Sequence, residues 1–461
     1  MNRRDFVAAA AAGVVAASVR GFAQDAAKAT LAMDANKMGP TIPRDFTGLS
    51  YESAQLANPE FFSAKNKELI ALLRGLSPSG NLRLGGGSSE FTTYSDADPV
   101  GAPPFELFGP DTSKTVKQGT VTTALALRNL REFLDATGWS CLYGLNLGQG
   151  TKENAAAEAA AAFRILGPRL MAFQIGNEPD SFRNRYRPAT WGPADYMAEW
   201  NGFHEAIVAK VPEAKFAGPD ISNKLPFLTA FAEEAPKHKD VILLTAHYYA
   251  MGPARSPDAT LEQLAAPDPK LATMKAAAFP VVAEAMRTAE PPFRMSEGNS
   301  CWDGGKPGVS DTLASALWCA DRMLRFAQMG WCGVNLHGGG NGFYTPIAGA
   351  PSTGFTRRPE YFGIQFGQSL AGAQFVESTL SSGGAGLQTY TLVQAGRRRI
   401  AMINKTETAV RVVLPARTSE RAMKLSGPSL ESKVGTAFGE VRVARSREVV
   451  VEGHTGMIYE I

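Results

Sequence analysis

The stretch MAFQIGNEP, residues 171–179, decides the fold. It opens on a short apolar run, 171–175, and turns at once through Gly176 into Asn177, Glu178 and Pro179. Alone, an apolar run this short reads equally as a strand or as part of a buried helix. Its flanks decide for a strand: residues 153–166 and 193–210 carry apolar side chains at three- and four-residue steps, the spacing of an amphipathic helix.

The same unit recurs on both sides. Further strand-like segments are 46–52 (FTGLSYE), 79–87 (SGNLRLGGG), 139–147 (WSCLYGLNL), 215–222 (KFAGPDIS), 241–249 (VILLTAHYY), 293–299 (FRMSEGN) and 331–340 (WCGVNLHGGG). Helical spacing marks 120–137, 271–289 and 311–329 between them. The strands lack clean alternation, as expected of parallel strands covered by helices on the outside. Eight such repeats predict an α/β chain built on a (β/α)₈ TIM barrel, about 300 residues long. Each strand ends in polar or glycine-rich residues, among them Glu52, Gly85–Gly87, Asn146, Glu178, Asp220, His247, Glu297 and His337. A barrel gathers all eight carboxyl ends on one face, so these residues are expected to meet in one pocket.

Working outward, residues past about 357 change to short β-rich segments between Gly, Ser and Asn turns. They predict a C-terminal antiparallel β-sandwich of about 100 residues, to which strand-like residues 28–34 add an edge strand. The expected division is a leader at 1–23, an N-terminal strand region at 24–44, the barrel at 45–365 and the sandwich at 366–461. The leader follows from Arg3-Arg4, an apolar run over 8–19 and small residues ending at Ala23, the pattern of a twin-arginine export signal. It predicts a periplasmic or secreted protein. No later run is long and apolar enough to span a bilayer.

The chain has 461 residues, 44% hydrophobic and 20% charged, with a net charge of +3. That mix suits a globular protein with a large core, and the absence of a Lys/Arg-rich run removes electrostatic support for a nucleic-acid or membrane partner. The four cysteines, Cys141, Cys301, Cys319 and Cys332, show no C-x₂-C spacing, so no zinc site is expected. Buried free thiols are the default for Cys141 and Cys319.

Glu178 ends the fourth strand and Glu297 the seventh. In a closed barrel these positions face each other across the mouth. Two carboxylates so placed suit glycoside cleavage, in which one carboxyl protonates the leaving oxygen and one carboxylate attacks or stabilises the anomeric carbon. Other readings stand beside these: an ion pair between Glu297 and Arg83, a loop-capping Asn177, and His247 as a core histidine. Alternation lets only one of Tyr248 and Tyr249 point inward, where its hydroxyl would reach the nucleophile.

These residues resemble clan A of the retaining glycoside hydrolases. Within it the sequence is most similar to glycoside hydrolase family 79, which holds β-glucuronidases and heparanase-like enzymes. The matching stretches are 46–52 (FTGLSYE), 82–86 (LRLGG), 174–179 (QIGNEP) and 296–300 (SEGNS). The resemblance implies Glu178 as acid/base, Glu297 as nucleophile and Asn177 on the sugar 2-hydroxyl. It implies Glu52 and Asp111 on sugar hydroxyls, and Tyr248 against the nucleophile or the substrate carboxylate. It places that carboxylate at the loop 337–344, with backbone N–H groups around Gly342 and the Tyr344 hydroxyl; the alternative for this loop is a simple linker. Trp302 stands where family members can carry a carboxylate-binding tyrosine, and it suits stacking on sugar or aglycone instead.

The implied partner is a carbohydrate, with no metal or organic cofactor. The leading expectation is an exo-acting β-glucuronidase. An endo-acting heparanase-like enzyme, a β-xylosidase or β-glucosidase, and a non-catalytic glycan-binding barrel are the alternatives. The first lacks the dense basic lining that sulfated chains require, and the last is disfavoured by the presence of both carboxylates.

Overall fold

The computed structural model describes residues 27–97, 119–266, 284, 292–339, 342–384 and 386–461. The leader, Asp111 and, apart from Glu284, the helix expected over 271–289 lie outside them. Eight parallel strands close into a barrel. In chain order they are β1 (Thr47–Glu52), β2 (Asn81–Gly85), β3 (Ser140–Leu145), β4 (Leu170–Ile175), β5 (Phe216–Ile221), β6 (Val241–Tyr249), β7 (Phe293–Asn299) and β8 (Gly333–His337). Each comes from one of the expected segments, and β8 pairs with β1 to complete the ring.

Burial on both faces explains the weak alternation. Every residue of β5 and of β7 is buried, because the outer face packs on helices and the inner face fills the barrel. The described helices are α1 (Lys67–Leu76), α2 (Ala124–Thr137), α3 (Lys152–Leu166), α4 (Pro193–Lys210), α5 (Leu225–Glu234), α6 (Leu261–Ala265), α7 (Leu313–Gln328) and α8 (Pro359–Gln368). None is long and apolar enough to cross a membrane.

Two local expectations need correction. The helix expected from Thr120 begins at Ala124, because the β-branched run Thr120–Thr123 pairs in parallel with Thr92–Ser95 instead. Thr123 then caps the helix, its side chain accepting the Ala126 amide at 3.2 Å. The barrel limit set at residue 365 falls inside α8. This helix lies close against α7: a side chain at Gly363 would run into the Ala316 backbone.

The C-terminal strands form a second unit. The long N-terminal strand Ala27–Thr41 pairs antiparallel with Gln374–Leu380, and its first residues pair in parallel with Val410–Val413. It therefore lies inside the sheet order, not at an edge. Alternation is the reason: Ala29 and Leu31 point into the apolar core shared with Ile400, Met402, Val412 and Val451. A buried charged cluster ties this unit to the barrel. Asp321 of α7 accepts the Tyr390 hydroxyl at 2.6 Å and the Lys405 ammonium at 2.9 Å. All four cysteines are free thiols.

Candidate active site

The carboxyl ends of the strands form a polar pocket floored by Arg83. This residue leaves β2 inside the barrel, is fully buried, and spends its guanidinium on five acceptors. Nε donates to Gln174 Oε1 at 3.0 Å. Nη1 donates to Ser50 Oγ at 3.0 Å and to Glu297 Oε2 at 2.6 Å. Nη2 donates to Asn177 Oδ1 at 2.7 Å and to Asp220 Oδ2. One rigid fork thus fixes residues from β1, β4, β5 and β7. Burial disfavours its charge, but Asp220 and Glu297 more than offset this and raise its pKa.

Backbone irregularities aim the acids. The register of β7 shifts between Met295 and Glu297 against β6, so Ser296 and Glu297 both turn into the pocket. Ser296 donates to Asp220 and Glu297 meets Arg83. Glu178 and Asp220 hold left-handed backbone conformations, φ 51° and 62°, which a residue with a Cβ adopts only when its surroundings enforce it. The Glu178 amide donates to the Asp220 carbonyl at 2.9 Å, so each turn braces the other.

Glu178 and Glu297 come together as the barrel predicts. A carboxylate oxygen of each, with one His247 ring nitrogen, lie within 4.8 Å of one another. Their surroundings differ. Glu297 is buried, with its side chain 9% exposed, whereas that of Glu178 is 31% exposed. Burial alone would raise the Glu297 pKa, but His337, His247, Arg83 and the Tyr249 hydroxyl bring it down to about 2. Tyr249 donates to Glu297 Oε1 at 2.8 Å.

His247 is a pocket residue, which corrects the core reading. Its Nδ1 lies 2.9 Å from Glu178 Oε1 and its Nε2 3.2 Å from Asp220 Oδ1. Burial works against its cation, but Glu297, Asp220 and Glu178 push its pKa up to about 10. Arg83 and His247 together match the charges of Asp220 and Glu297, and Glu178 shares His247 with Asp220.

Tyr248 is the second correction. Side chains on a strand alternate, so His247 and Tyr249 point inward together while Tyr248 points out. Its ring packs edge-on against Phe326 of α7, centroids 5.1 Å apart. Placing His247 inward first would have selected Tyr249 by parity.

The remaining expected residues divide between pocket and rim. Asn177 is buried and accepts from Arg83, while its amide donates to Glu90. Glu52 accepts the Ser88 amide at 2.8 Å and lies 3.7 Å from His337. Gly86, at φ 73°, lies so close to that carboxylate that a Cβ would collide with it. Tyr344 is buried beside Tyr249 and His337, with ring centroids at 6.4 and 5.8 Å. Trp302 stands apart on the rim, 39% exposed, beneath the Arg255 guanidinium. The backbone cradle expected in the loop 337–344 is narrower than its glycines suggest. The amides of Gly338, Gly339, Phe343 and Tyr344 donate to Ser50, Thr345 and Gly304 within the protein. The Tyr344 hydroxyl meets Tyr249, so a ligand at this loop would share it with that residue.

Sequence reasoning missed Glu90. It is 1% exposed, and its carboxylate accepts the amides of both Asn177 and Gly148. Burial pushes its pKa up to about 7 against those bonds. Nothing in the local pattern singles it out, since its partners come from the ends of β3 and β4. Glu178, His247 and Glu297 also have the spacing of metal ligands. Arg83 already satisfies Glu297, and a cation there would compete with it and with the charged His247.

No protein-family model matches the chain. In sequence it is similar to fungal β-glucuronidases. The Neurospora crassa enzyme is 27% identical over 360 residues, 71% of this chain and 62% of the relative. The Aspergillus niger enzyme is 25% identical over 72% of this chain and 63% of the relative. The chain therefore spans less than two thirds of the length of both. In structure it is similar to a 4-O-α-L-rhamnosyl-β-D-glucuronidase from Fusarium oxysporum, with a TM-score of 0.72 and 16% identity, covering 94% of this chain and all of the other. An α-L-arabinofuranosidase from Thermotoga maritima gives a TM-score of 0.67 at 13% identity, over 94% of this chain and 99% of its own. These structural likenesses establish a barrel-and-sandwich fold.

Proposed function

We propose that this protein is a retaining glycoside hydrolase of family 79 that releases terminal glucuronate as an exo-β-glucuronidase. The carrying observation is the Glu178–Glu297 pair, with carboxylate oxygens within 4.8 Å of one another. Retaining enzymes hold the two carboxyls about 5–5.5 Å apart, whereas inverting enzymes leave about 6.5–9.5 Å for a water. The names of the two sequence relatives support glucuronides as substrates.

Glu297, kept ionised by Arg83 and Tyr249, attacks the anomeric carbon. Glu178, at the open side, gives its proton to the leaving oxygen and the glycosidic C–O bond breaks. A glycosyl ester on Glu297 results. Glu178 then takes a proton from water, which attacks the same carbon and releases the sugar with its original configuration. Asn177 is positioned for the 2-hydroxyl and Glu52 for other ring hydroxyls. Gly342 and Tyr344 are the described candidates for the carboxylate, and Trp302 for the aglycone. The twin-arginine leader supports export, so the proposed substrate is met outside the cytoplasm.

The test is hydrolysis of aryl β-glucuronide against aryl β-glucoside and β-xyloside, with the product anomer followed by NMR. The glucuronide should be cleaved with retention. Cleavage confined to a neutral sugar would overturn the substrate, and inversion would overturn the roles given to the two acids.

A further inference from the structure

At the opposite end of the barrel, where β5 and β6 begin, three potential ligands converge. His204 lies in the second half of α4, His238 follows α5, and Asp240 immediately precedes β6. One ligand atom from each lies within 4.8 Å of the others. His204 Nε2 is 2.9 Å from Asp240 Oδ2, and the two imidazole centroids are 4.6 Å apart. Glu234, at the end of α5, brings Oε1 to 3.4 Å from His238 Nε2.

The surroundings hold these groups ready. The His204 ring stacks on Trp200 at 4.9 Å and packs on Phe216 at 4.6 Å, which fixes its plane. Asp240 is set by its carbonyl, which accepts the Phe216 amide at 2.8 Å. Asp240 Oδ1 is buried and makes no hydrogen bond with any described residue, while His238 Nε2 meets Glu234 only at a long, poorly aligned 3.4 Å. Buried polar atoms are ordinarily well satisfied, so these weakly held groups beside His204 mark a place where a ligand completes the shell.

We propose that His204, His238 and Asp240 form a Zn²⁺ site at the foot of the barrel, with water as the fourth ligand. Zinc takes imidazole nitrogen at about 2.0–2.1 Å and carboxylate oxygen at about 2.0–2.2 Å in a tetrahedron, and three protein ligands with one water make such a shell. Two imidazoles argue against Mg²⁺ and Ca²⁺, which prefer all-oxygen shells. The ion would tie α4 to the α5–β6 connection, far from Glu178 and Glu297, and so serve stability. This inference is independent of the glycosidase proposal.

The experiment uses the full chain stripped with EDTA and titrated with ZnCl₂ by calorimetry, with thermal unfolding followed in parallel. One Zn²⁺ should bind per chain and raise the melting temperature by a few degrees, while MgCl₂ has no effect. His238→Ala, in a partly exposed turn, should fold, lose that binding and lose the shift. His204→Ala should do the same. Glu297→Gln, at the other end of the barrel, should keep both. Absence of stoichiometric binding, binding that survives His238→Ala, or binding abolished by Glu297→Gln would each overturn the assignment.

Discussion

Two buried charge clusters in this molecule are built alike and do different things. At the barrel mouth, Arg83 and His247 balance Asp220 and Glu297. Between α7 and the sandwich, Lys405 and Arg322 both pair with Asp321. The second cluster is closed: both Asp321 oxygens are taken by protein donors, and the Asp321, Lys405 and Arg322 side chains are all at most 7% exposed. The first has one open flank, at Glu178. A charge held on every side fixes two units together. A charge held on all sides but one is ready for chemistry. What separates the joint from the proposed reactive site is Glu178, the acid left partly facing solvent.

The contrast can be broken in order of effect. Glu297→Ala should lower kcat at least about 10⁴-fold, with an unchanged far-UV spectrum. Loss of less than tenfold on aryl glucuronide would show that the mouth cluster is only structural. Lys405→Met leaves Asp321 buried without its lysine, which should cost about 3–5 kcal/mol in denaturant unfolding while kcat stays near wild type. A large loss of activity in the folded variant would show that the two clusters are not separable.

Smaller changes sharpen the comparison. Tyr249→Phe removes a hydrogen bond to a charged oxygen, worth about 1.5–3 kcal/mol, and should slow turnover roughly 10- to 100-fold. Tyr248→Phe should leave turnover unchanged. Equal effects from the two would contradict the strand parity described above. Glu90→Gln should cost about 1–3 kcal/mol, because an amide cannot accept two backbone N–H groups through both of its heteroatoms. The pH dependence carries a definite sign. The folded pKa of Glu90, about 7, lies above its ordinary 4.5, so its contribution is fully present below pH 4.5 and is lost as pH rises through 7. The stability advantage of wild type over Glu90→Gln should therefore shrink from pH 4.5 to 7.5, as urea midpoints would show. A constant difference would remove the titration from the account.

The sequence exposed the parts of this design that repeat. Eight apolar runs, each closing on a polar residue, were enough for the barrel, and the order of Glu178 and Glu297 along it was enough to place them together. What it hid depended on partners brought from other strands. Arg83 read as one possible ion-pair partner, yet it orders the whole floor because five acceptors from four strands converge on it. Glu90 gave no local signal at all. A single histidine on an apolar strand gives no hint of what it faces, so His247 reads as a core residue and cannot decide between the two tyrosines that follow it. The glycine-rich loop after β8 misled in the opposite direction: it looked rich in available amides, and most of those described are already committed within the protein.

The long first strand has one more consequence. Lys37 meets Glu377, and Thr30 meets Ser381, across separations of 340 and 351 residues. A ribosome delivers this strand some 340 residues before these partners. The barrel can assemble from near neighbours while the early segment waits, and sheet closure depends on contacts between distant parts of the chain, the slow kind. Completion of that sheet therefore waits on the joining of segments far apart in the chain.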